Sequence, residues 1–140
     1  MEKMYDAVLF DLFGTLVTER GQAIRGAHAL LEGLPDARWA IVTSCPRGLA
    51  SELLRRARLP TPQVLVTAED VRENKPAPDG YLYAALRLSV QPPDCVVFED
   101  STAGVTAAHA AGMAVINVRE TPLGSLALEV TADGRLRLRR

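Results

Sequence analysis

The segment 8–17 constrains the fold more than any other, because an apolar run in it meets a single carboxylate. Val8–Phe10 is apolar, Asp11 follows directly, and Gly14-Thr15 comes shortly afterwards. An apolar run bounded by a turn signal is typical of a buried strand. Asp11 then lies at the carboxyl end of that strand, where open α/β sheets bind their ligands. A carboxylate there must be paired, hydrogen-bonded or metal-bound, which predicts a functional residue; a turn or helix-capping Asp is the alternative.

The remaining pattern alternates short apolar runs with segments of helical spacing. The further strands are predicted at 39–42, 64–66, 95–98 and 114–118, and the helices at 25–34, 46–58, 79–88 and 101–111. Strands that alternate with helices predict an α/β fold with a parallel sheet and right-handed crossovers. The apolar positions expected to face inward are Leu49, Leu53, Leu54 and Ala57 in the second helix and Leu82, Ala85 and Leu86 in the third.

The C-terminal segment has a different period. Apolar residues alternate with others over 126–130 and 136–138, and Asp133-Gly134 lies between them. This dipeptide is a strong hairpin turn signal, so we expect a C-terminal β-hairpin. Its arginines at 135, 137 and 139 predict a solvated face, with a phosphate-binding or partner-binding edge as the alternative.

Composition excludes several classes of protein. The 140 residues predict one domain with its own core, and a net charge of −1 gives no basic surface for nucleic acid. No apolar run reaches the roughly 20 residues of a membrane span, and no secretory h-region precedes a cleavage site near the amino terminus. Two cysteines do not make a disulfide framework, so we expect a cytoplasmic protein.

Polar side chains converge on one edge of the predicted sheet. Asp11 follows the first strand, Thr43-Ser44 the second, and Glu99-Asp100 the fourth, while Lys75 lies on a loop restrained by prolines. Such a set suits phosphoryl transfer, which needs a positioned nucleophile and neutralised charge.

Each residue type in this set has a chemical use. Asp11 and Asp100 can hold Mg²⁺, a cation that prefers oxygen ligands, and the metal would shield Asp11 from the anionic phosphate. Lys75 adds a cation, Thr43 adds a hydroxyl donor, and the backbone amides of residues 12–14 (Leu12, Phe13 and Gly14) could cradle a phosphate. Asp11 would then become an aspartyl-phosphate.

The segment Phe-Asp-Leu-Phe-Gly-Thr-Leu at 10–16 resembles the first motif of the haloacid dehalogenase superfamily. Three further motifs follow in the expected order, so the resemblance covers nearly the whole chain. It implies a hydrolase with a Rossmann-like three-layer sandwich, in which the first strand is central.

The resemblance also implies a role for each site residue. Asp11 would be the nucleophile, Thr43 the hydroxyl of the second motif, Lys75 the cation of the third and Asp100 the metal ligand of the fourth. Glu99 would bind the metal through water or support its ligands, and the carbonyl of Phe13 would bind the metal directly.

The chain departs from the phosphatases of this superfamily at position 13. They normally carry a second Asp there, which protonates the leaving oxygen and then activates water. A phenyl ring can do neither, and losing a general acid–base costs about 10²–10⁴-fold in rate.

Three hypotheses follow from Phe13. The favoured one is a weakened Mg²⁺-dependent phosphatase, with Glu19 as a candidate substitute acid. The second is 2-haloacid dehalogenase-like chemistry with Arg20 on the substrate carboxylate, against which stands the metal-binding form of the segment 98–101. The third is an inactive protein that binds phosphate or Mg²⁺ and acts through partners.

A second departure is the missing cap. Residues 18–21 form a short loop where relatives carry a helical cap, so we expect one core domain over 1–140 with an open site. An open site predicts either a large phosphorylated substrate or a homo-oligomer whose neighbour closes it, in contact through residues 20–27.

Overall fold

A five-stranded parallel sheet forms the middle layer of the molecule; its strands, in spatial order, are Val64–Val66, Trp39–Val42, Ala7–Phe10, Cys95–Glu99 and Ala114–Asn117. A computed structural model describes residues 3–140. Its strands are β1 Met4–Tyr5, β2 Ala7–Phe10, β3 Trp39–Val42, β4 Val64–Val66, β5 Cys95–Glu99, β6 Ala114–Asn117, β7 Ala127–Val130 and β8 Leu136–Arg139. Its helices are α1 Ala27–Leu31, α2 Arg47–Ala57, α3 Asp79–Leu88 and α4 Thr102–Ala110.

Strand β2 is central, as the family resemblance implies. Leu9 pairs with Ala40 of β3 on one side and with Val97 of β5 on the other, and every residue of β2 is buried. Alternate side chains enter two cores, because successive residues of a strand point to opposite faces. Val8 and Phe10 pack in the core beneath α1 and α2, whereas the rest of β2 packs in the core beneath α3 and α4. The predicted three-layer α/β architecture is therefore confirmed.

The predicted inward face of two helices is partly wrong. In α2, Leu49 is 49% exposed although Leu53 and Leu54 are buried as expected. In α3, Ala85 is buried as expected, but Leu82 and Leu86 are exposed and the other buried residues are Gly80, Tyr81 and Ala84.

Small residues explain the orientation of α3. A Cβ at Gly80 would lie only 2.8 Å from Cγ1 of Val42, so this face of the helix approaches the sheet too closely for leucine. Helix α1 is also shorter than the predicted span 25–34, since the preceding Gly26 has a left-handed φ of 93°.

The C-terminal strands β7 and β8 form the predicted antiparallel hairpin, and β1 extends it to a three-stranded sheet that the sequence did not predict. Arg137 and Arg139 pair with Glu129 of the neighbouring strand, and Arg135 pairs with Asp6 at 2.9 Å. These contacts favour the solvated face over the phosphate-binding edge.

The segment from β2 to α1, residues 11–26, folds back onto the core. The Ile24 amide donates to the Leu16 carbonyl and the Thr18 amide to the Gln22 carbonyl, both at 2.8 Å. Ala23 and Ile24 consequently pack against the first core. The apolar surface expected at 20–27 is therefore partly covered within the chain, and contact with a neighbouring copy through it stays a prediction. Among residues 3–140, no helix is both long enough and apolar enough to cross a bilayer.

The orientation of α2 predicts that truncating two of its leucines has unequal effects on the free energy of unfolding. Leu54→Ala should lower the free energy of unfolding by about 2–5 kcal/mol, because it opens a cavity in a closed core. The matched change Leu49→Ala on the same helix should cost less than about 0.5 kcal/mol. Urea unfolding measures both, and equal losses would contradict the orientation of the helix.

Candidate active site

Asp11 lies directly after β2, at the carboxyl end of the sheet. Its amide donates to the Phe98 carbonyl at 3.0 Å, which extends the pairing with β5 by one residue. Its carboxylate is buried and accepts two hydrogen bonds, from Lys75 Nζ to Oδ1 at 2.8 Å and from Thr15 Oγ1 to Oδ2 at 3.1 Å. Both carboxylate oxygens are therefore fixed in orientation.

The ammonium group of Lys75 joins three elements of the sheet. It donates to Asp11 Oδ1, to Glu99 Oε2 at 2.7 Å and to the Val42 carbonyl oxygen at 2.9 Å. An ammonium has three N–H donors, so all three are used. The side chain is 9% exposed, which leaves little water around the charge.

Glu99 lies beneath the site as the partner of Lys75. It is fully buried, and its Oε2 also accepts from the Tyr81 hydroxyl. Its Oε1 accepts from the Asp100 amide at 3.2 Å and from Ser101 Oγ at 3.3 Å. With both oxygens engaged by protein donors, these contacts favour a supporting role for Glu99 over direct metal ligation.

Tyr81 and Gly104 complete the surroundings of Glu99, and the sequence analysis missed both. A Cβ at Gly104 would overlap the Glu99 carboxylate. Two signals could have found them: an aromatic residue with a polar tip near the start of α3, and a glycine in the first turn of α4 just after an acidic pair.

The charges of the site shift its pKa values. The pKa of Asp11 is raised to about 8, chiefly because the group is buried; Lys75 opposes this rise and the nearby Glu99 carboxylate adds to it. Burial lowers the pKa of Lys75, but Asp11 and Glu99 outweigh it and leave that pKa above its ordinary value. Burial and Glu99 also raise the pKa of Tyr81, so its hydroxyl keeps its proton and donates.

Three carboxylates lie close together, two of them paired with the Lys75 ammonium, and their arrangement fits a divalent cation. Asp11, Glu99 and Asp100 each place an oxygen within 4.8 Å of the others. If all three are ionised, Lys75 offsets one negative charge and two remain. Carboxylate oxygens are the ligands that Mg²⁺ prefers. Gly14 leaves the room for this cluster, since it has a φ of +84° and a Cβ there would overlap Asp100.

The cluster opens into a cavity of about 350 Å³. The cavity is lined by Asp11, Phe13, Thr43, Ser44, Cys45, Lys75, Asp100, Ser101 and Ala103. The structure thus brings together most of the predicted site residues, with Glu99 beneath them and Leu12 buried. Glu19 and Arg20, the candidates for a substitute acid and a carboxylate ligand, are exposed and do not line this cavity.

Of two predicted phosphate contacts, those of the Thr43 hydroxyl and the Gly14 amide, one differs in the structure. Thr43 Oγ1 accepts from the Cys45 amide at 3.2 Å, which leaves the hydroxyl proton available as a donor. The Gly14 amide instead donates to the Val17 carbonyl at 2.9 Å, because the loop closes on itself. The expected cradle of amides is therefore reduced to those of Leu12 and Phe13.

An aspartate at the end of the central strand, close to a second carboxylate and a buried lysine, is an arrangement suited to phosphoryl transfer in an α/β protein. Residues 15–118 match the family described as haloacid dehalogenase-like hydrolase, and the chain belongs to this family.

Named relatives support this membership. The chain is 48% identical over 103 residues to hexitol phosphatase A of Escherichia coli K12, covering 72% of this chain and 48% of that protein. It is 41% identical over 101 residues to validoxylamine A 7'-phosphate phosphatase of Streptomyces hygroscopicus subsp. limoneus, covering 70% and 47%. The chain therefore spans about half the length of these curated relatives.

A solved structure shows the same fold. A haloacid dehalogenase family hydrolase from Deinococcus radiodurans R1, with bound phosphate and sodium, superposes with a TM-score of 0.70 at 26% identity. The superposition covers 79% of each chain.

The contact between Gly104 and Glu99 predicts an asymmetric result for two glycine-to-alanine changes in helices. Gly104→Ala should lower the free energy of unfolding by about 1–3 kcal/mol, because the new methyl group overlaps a carboxylate that cannot retreat. Gly48→Ala in α2 meets nothing within 4 Å and should stabilise by up to about 1 kcal/mol. Thermal unfolding measures both variants, and a stabilising Gly104→Ala would show that Glu99 is not held as described.

Proposed function

We propose that the protein is an Mg²⁺-dependent phosphohydrolase that cleaves phosphomonoesters through an aspartyl-phosphate on Asp11. The observation that carries the proposal is the convergence of Asp11, Asp100, Lys75 and Thr43 on one cavity. The names of the relatives add support, since each describes a protein that acts on a phosphorylated compound.

Each site residue has its own role in the proposed reaction. Asp11 supplies the attacking carboxylate oxygen, and the contacts from Lys75 and Thr15 hold that carboxylate at a fixed angle. Lys75 and the Thr43 hydroxyl stabilise the negative charge of the phosphoryl oxygens, which is the main requirement of this reaction. Mg²⁺ would be held by Asp11, Asp100 and the carbonyl of Phe13, and when bound it would neutralise charge between nucleophile and phosphate.

Glu99 and Tyr81 act through Lys75 rather than on the substrate. The buried carboxylate of Glu99 fixes the ammonium beside Asp11, and the Tyr81 hydroxyl fixes Glu99. A second function, 2-haloacid dehalogenation, gains no support from the cavity, because Arg20 does not line it.

The connection between β2 and α1 through residues 11–26 fits a core domain whose site is open to solvent. In that setting a large substrate or a neighbouring copy of the chain would close the cavity, and analytical ultracentrifugation distinguishes the two. The free cysteines Cys45 and Cys95 fit the reducing cytoplasm that we expect for this protein.

Metal binding can be tested without turnover. Mg²⁺ at about 100 times its Kd should raise the free energy of unfolding by about 2.7 kcal/mol, because it binds only the folded site. Asp100→Asn should abolish this gain, whereas the matched change Asp36→Asn, at an exposed carboxylate away from the cavity, should retain it. Thermal unfolding with and without Mg²⁺ gives the answer, and a gain that survives in Asp100→Asn would remove that residue from the site.

Hydrolysis of p-nitrophenyl phosphate tests the reaction itself. Turnover should need Mg²⁺ and should fall to background in Asp11→Asn, since an amide oxygen is a poor nucleophile. Residual turnover equal to that of the wild type would exclude Asp11 as the nucleophile.

A further inference from the structure

Phe13 places a hydrocarbon ring in the lining of the cavity that holds the attacking residue Asp11. Its side chain is 47% exposed, and Ala103 lines the same cavity. Neither the phenyl ring of Phe13 nor the methyl group of Ala103 can donate or accept a proton. The reaction therefore depends on whether another lining residue can.

Most of the lining groups are already committed or do not ionise. Lys75 donates all its N–H groups to Asp11, Glu99 and Val42. Asp100 belongs to the carboxylate cluster that fits a cation. The hydroxyls of Thr43, Ser44 and Ser101 do not titrate near neutral pH, which leaves the thiol of Cys45 as a group to be tested.

From this inventory we infer that the chain forms a long-lived aspartyl-phosphate on Asp11, and that it takes the phosphoryl group from acyl or aryl phosphates. The inference rests on the proposed function, whose reaction has two half-reactions: phosphorylation of Asp11 and hydrolysis of the aspartyl-phosphate. The first half-reaction proceeds with suitable donors, and the second is slow.

The chemistry of the first step selects the donor. A bond forms between phosphorus and an Asp11 carboxylate oxygen, and the bond from phosphorus to the leaving oxygen breaks. A carboxylate or phenolate leaves with the electron pair and needs no proton. The alkoxide of a polyol or sugar phosphate needs one, and we infer that none of the described lining residues gives it; the Cys45 thiol, the one group left open above, is tested below. Acyl and aryl phosphates therefore react, and alkyl phosphates do so far more slowly.

The same absence slows the second step. Water must attack phosphorus, lose a proton, and release phosphate and the free Asp11 carboxylate. A general base contributes about 10²–10⁴-fold to such a step. Without that base the phosphorylated protein accumulates, and its breakdown limits the rate.

Intact-protein mass spectrometry of the full chain, incubated with acetyl phosphate and Mg²⁺, tests the inference. We expect the mass of one added phosphoryl group, absent in Asp11→Asn. With p-nitrophenyl phosphate we expect a burst of nitrophenol equal to the protein concentration, followed by slow turnover. Glycerol phosphate should give neither the added mass nor measurable release of phosphate.

A matched pair of variants isolates proton transfer. Phe13→Asp should shorten the lifetime of the aspartyl-phosphate by about 10²–10⁴-fold and remove the burst. Phe13→Asn keeps the backbone carbonyl and removes the same ring, but its amide cannot transfer the proton, so the aspartyl-phosphate should still accumulate and the burst should remain. Because Phe13 is exposed, neither change disturbs the core, and thermal unfolding of both variants checks this.

The possible outcomes distinguish a failure of the inference from a failure of the proposed function on which it rests. Steady turnover without a burst, at equal rates for aryl and glycerol phosphates, would overturn the inference and leave the phosphatase intact. The inference would also be overturned if the wild type is never phosphorylated while the Phe13→Asp variant is active. A lifetime that lengthens in Cys45→Ser would assign the proton transfer to Cys45 and also overturn it. No phosphorylation and no turnover in any variant would overturn the proposed function itself.

Discussion

The ammonium group of Lys75 is the contact on which the site depends. It lies between Asp11 and Glu99, two buried carboxylates that would repel each other without it. Removing one partner of a buried ion pair leaves an uncompensated charge and typically costs about 3–5 kcal/mol. The other features of the site keep this contact in place: the Tyr81 hydroxyl holds Glu99, and Gly104 leaves room for it. Stability and chemistry therefore rest on the same group of side chains.

The parallel sheet explains how residues so distant in sequence meet. Strand β2 pairs with β3 on one side and β5 on the other, so the residues that follow these strands share one edge. Asp11 continues the pairing with β5 by one residue, which sets its depth relative to Glu99. The loop that carries Lys75 then reaches this edge from beyond β4. In such a sheet the carboxyl ends of the strands form the ligand crevice.

Much of this arrangement could be predicted from the sequence, because a buried strand and the residue that ends it leave a local pattern. The strand ends at Asp11 and Thr43 and the loop bearing Lys75 were predicted in this way. Contacts made in three dimensions leave no such pattern. The rotation of α3, which exposes Leu82, depends on how closely Gly80 meets Val42. The pairing of β1 with β8 joins distant segments, and the Gly14 amide turns away from the cavity because its loop closes on Val17. These features depend on distance and shape, which periodicity does not encode.

With Phe13 at its edge, the site has the residues to bind a phosphoryl group but lacks a side chain there to complete its hydrolysis. A crystal structure with Mg²⁺ and beryllium trifluoride, which mimics a phosphoryl group on a carboxylate, tests directly whether Asp11 is the nucleophile. We expect the trifluoride bonded to an Asp11 oxygen, with contacts from Lys75 and Thr43 and with the metal beside Asp100. A trifluoride and metal bound elsewhere, with Asp11 still paired only to Lys75 and Thr15, would contradict this assignment.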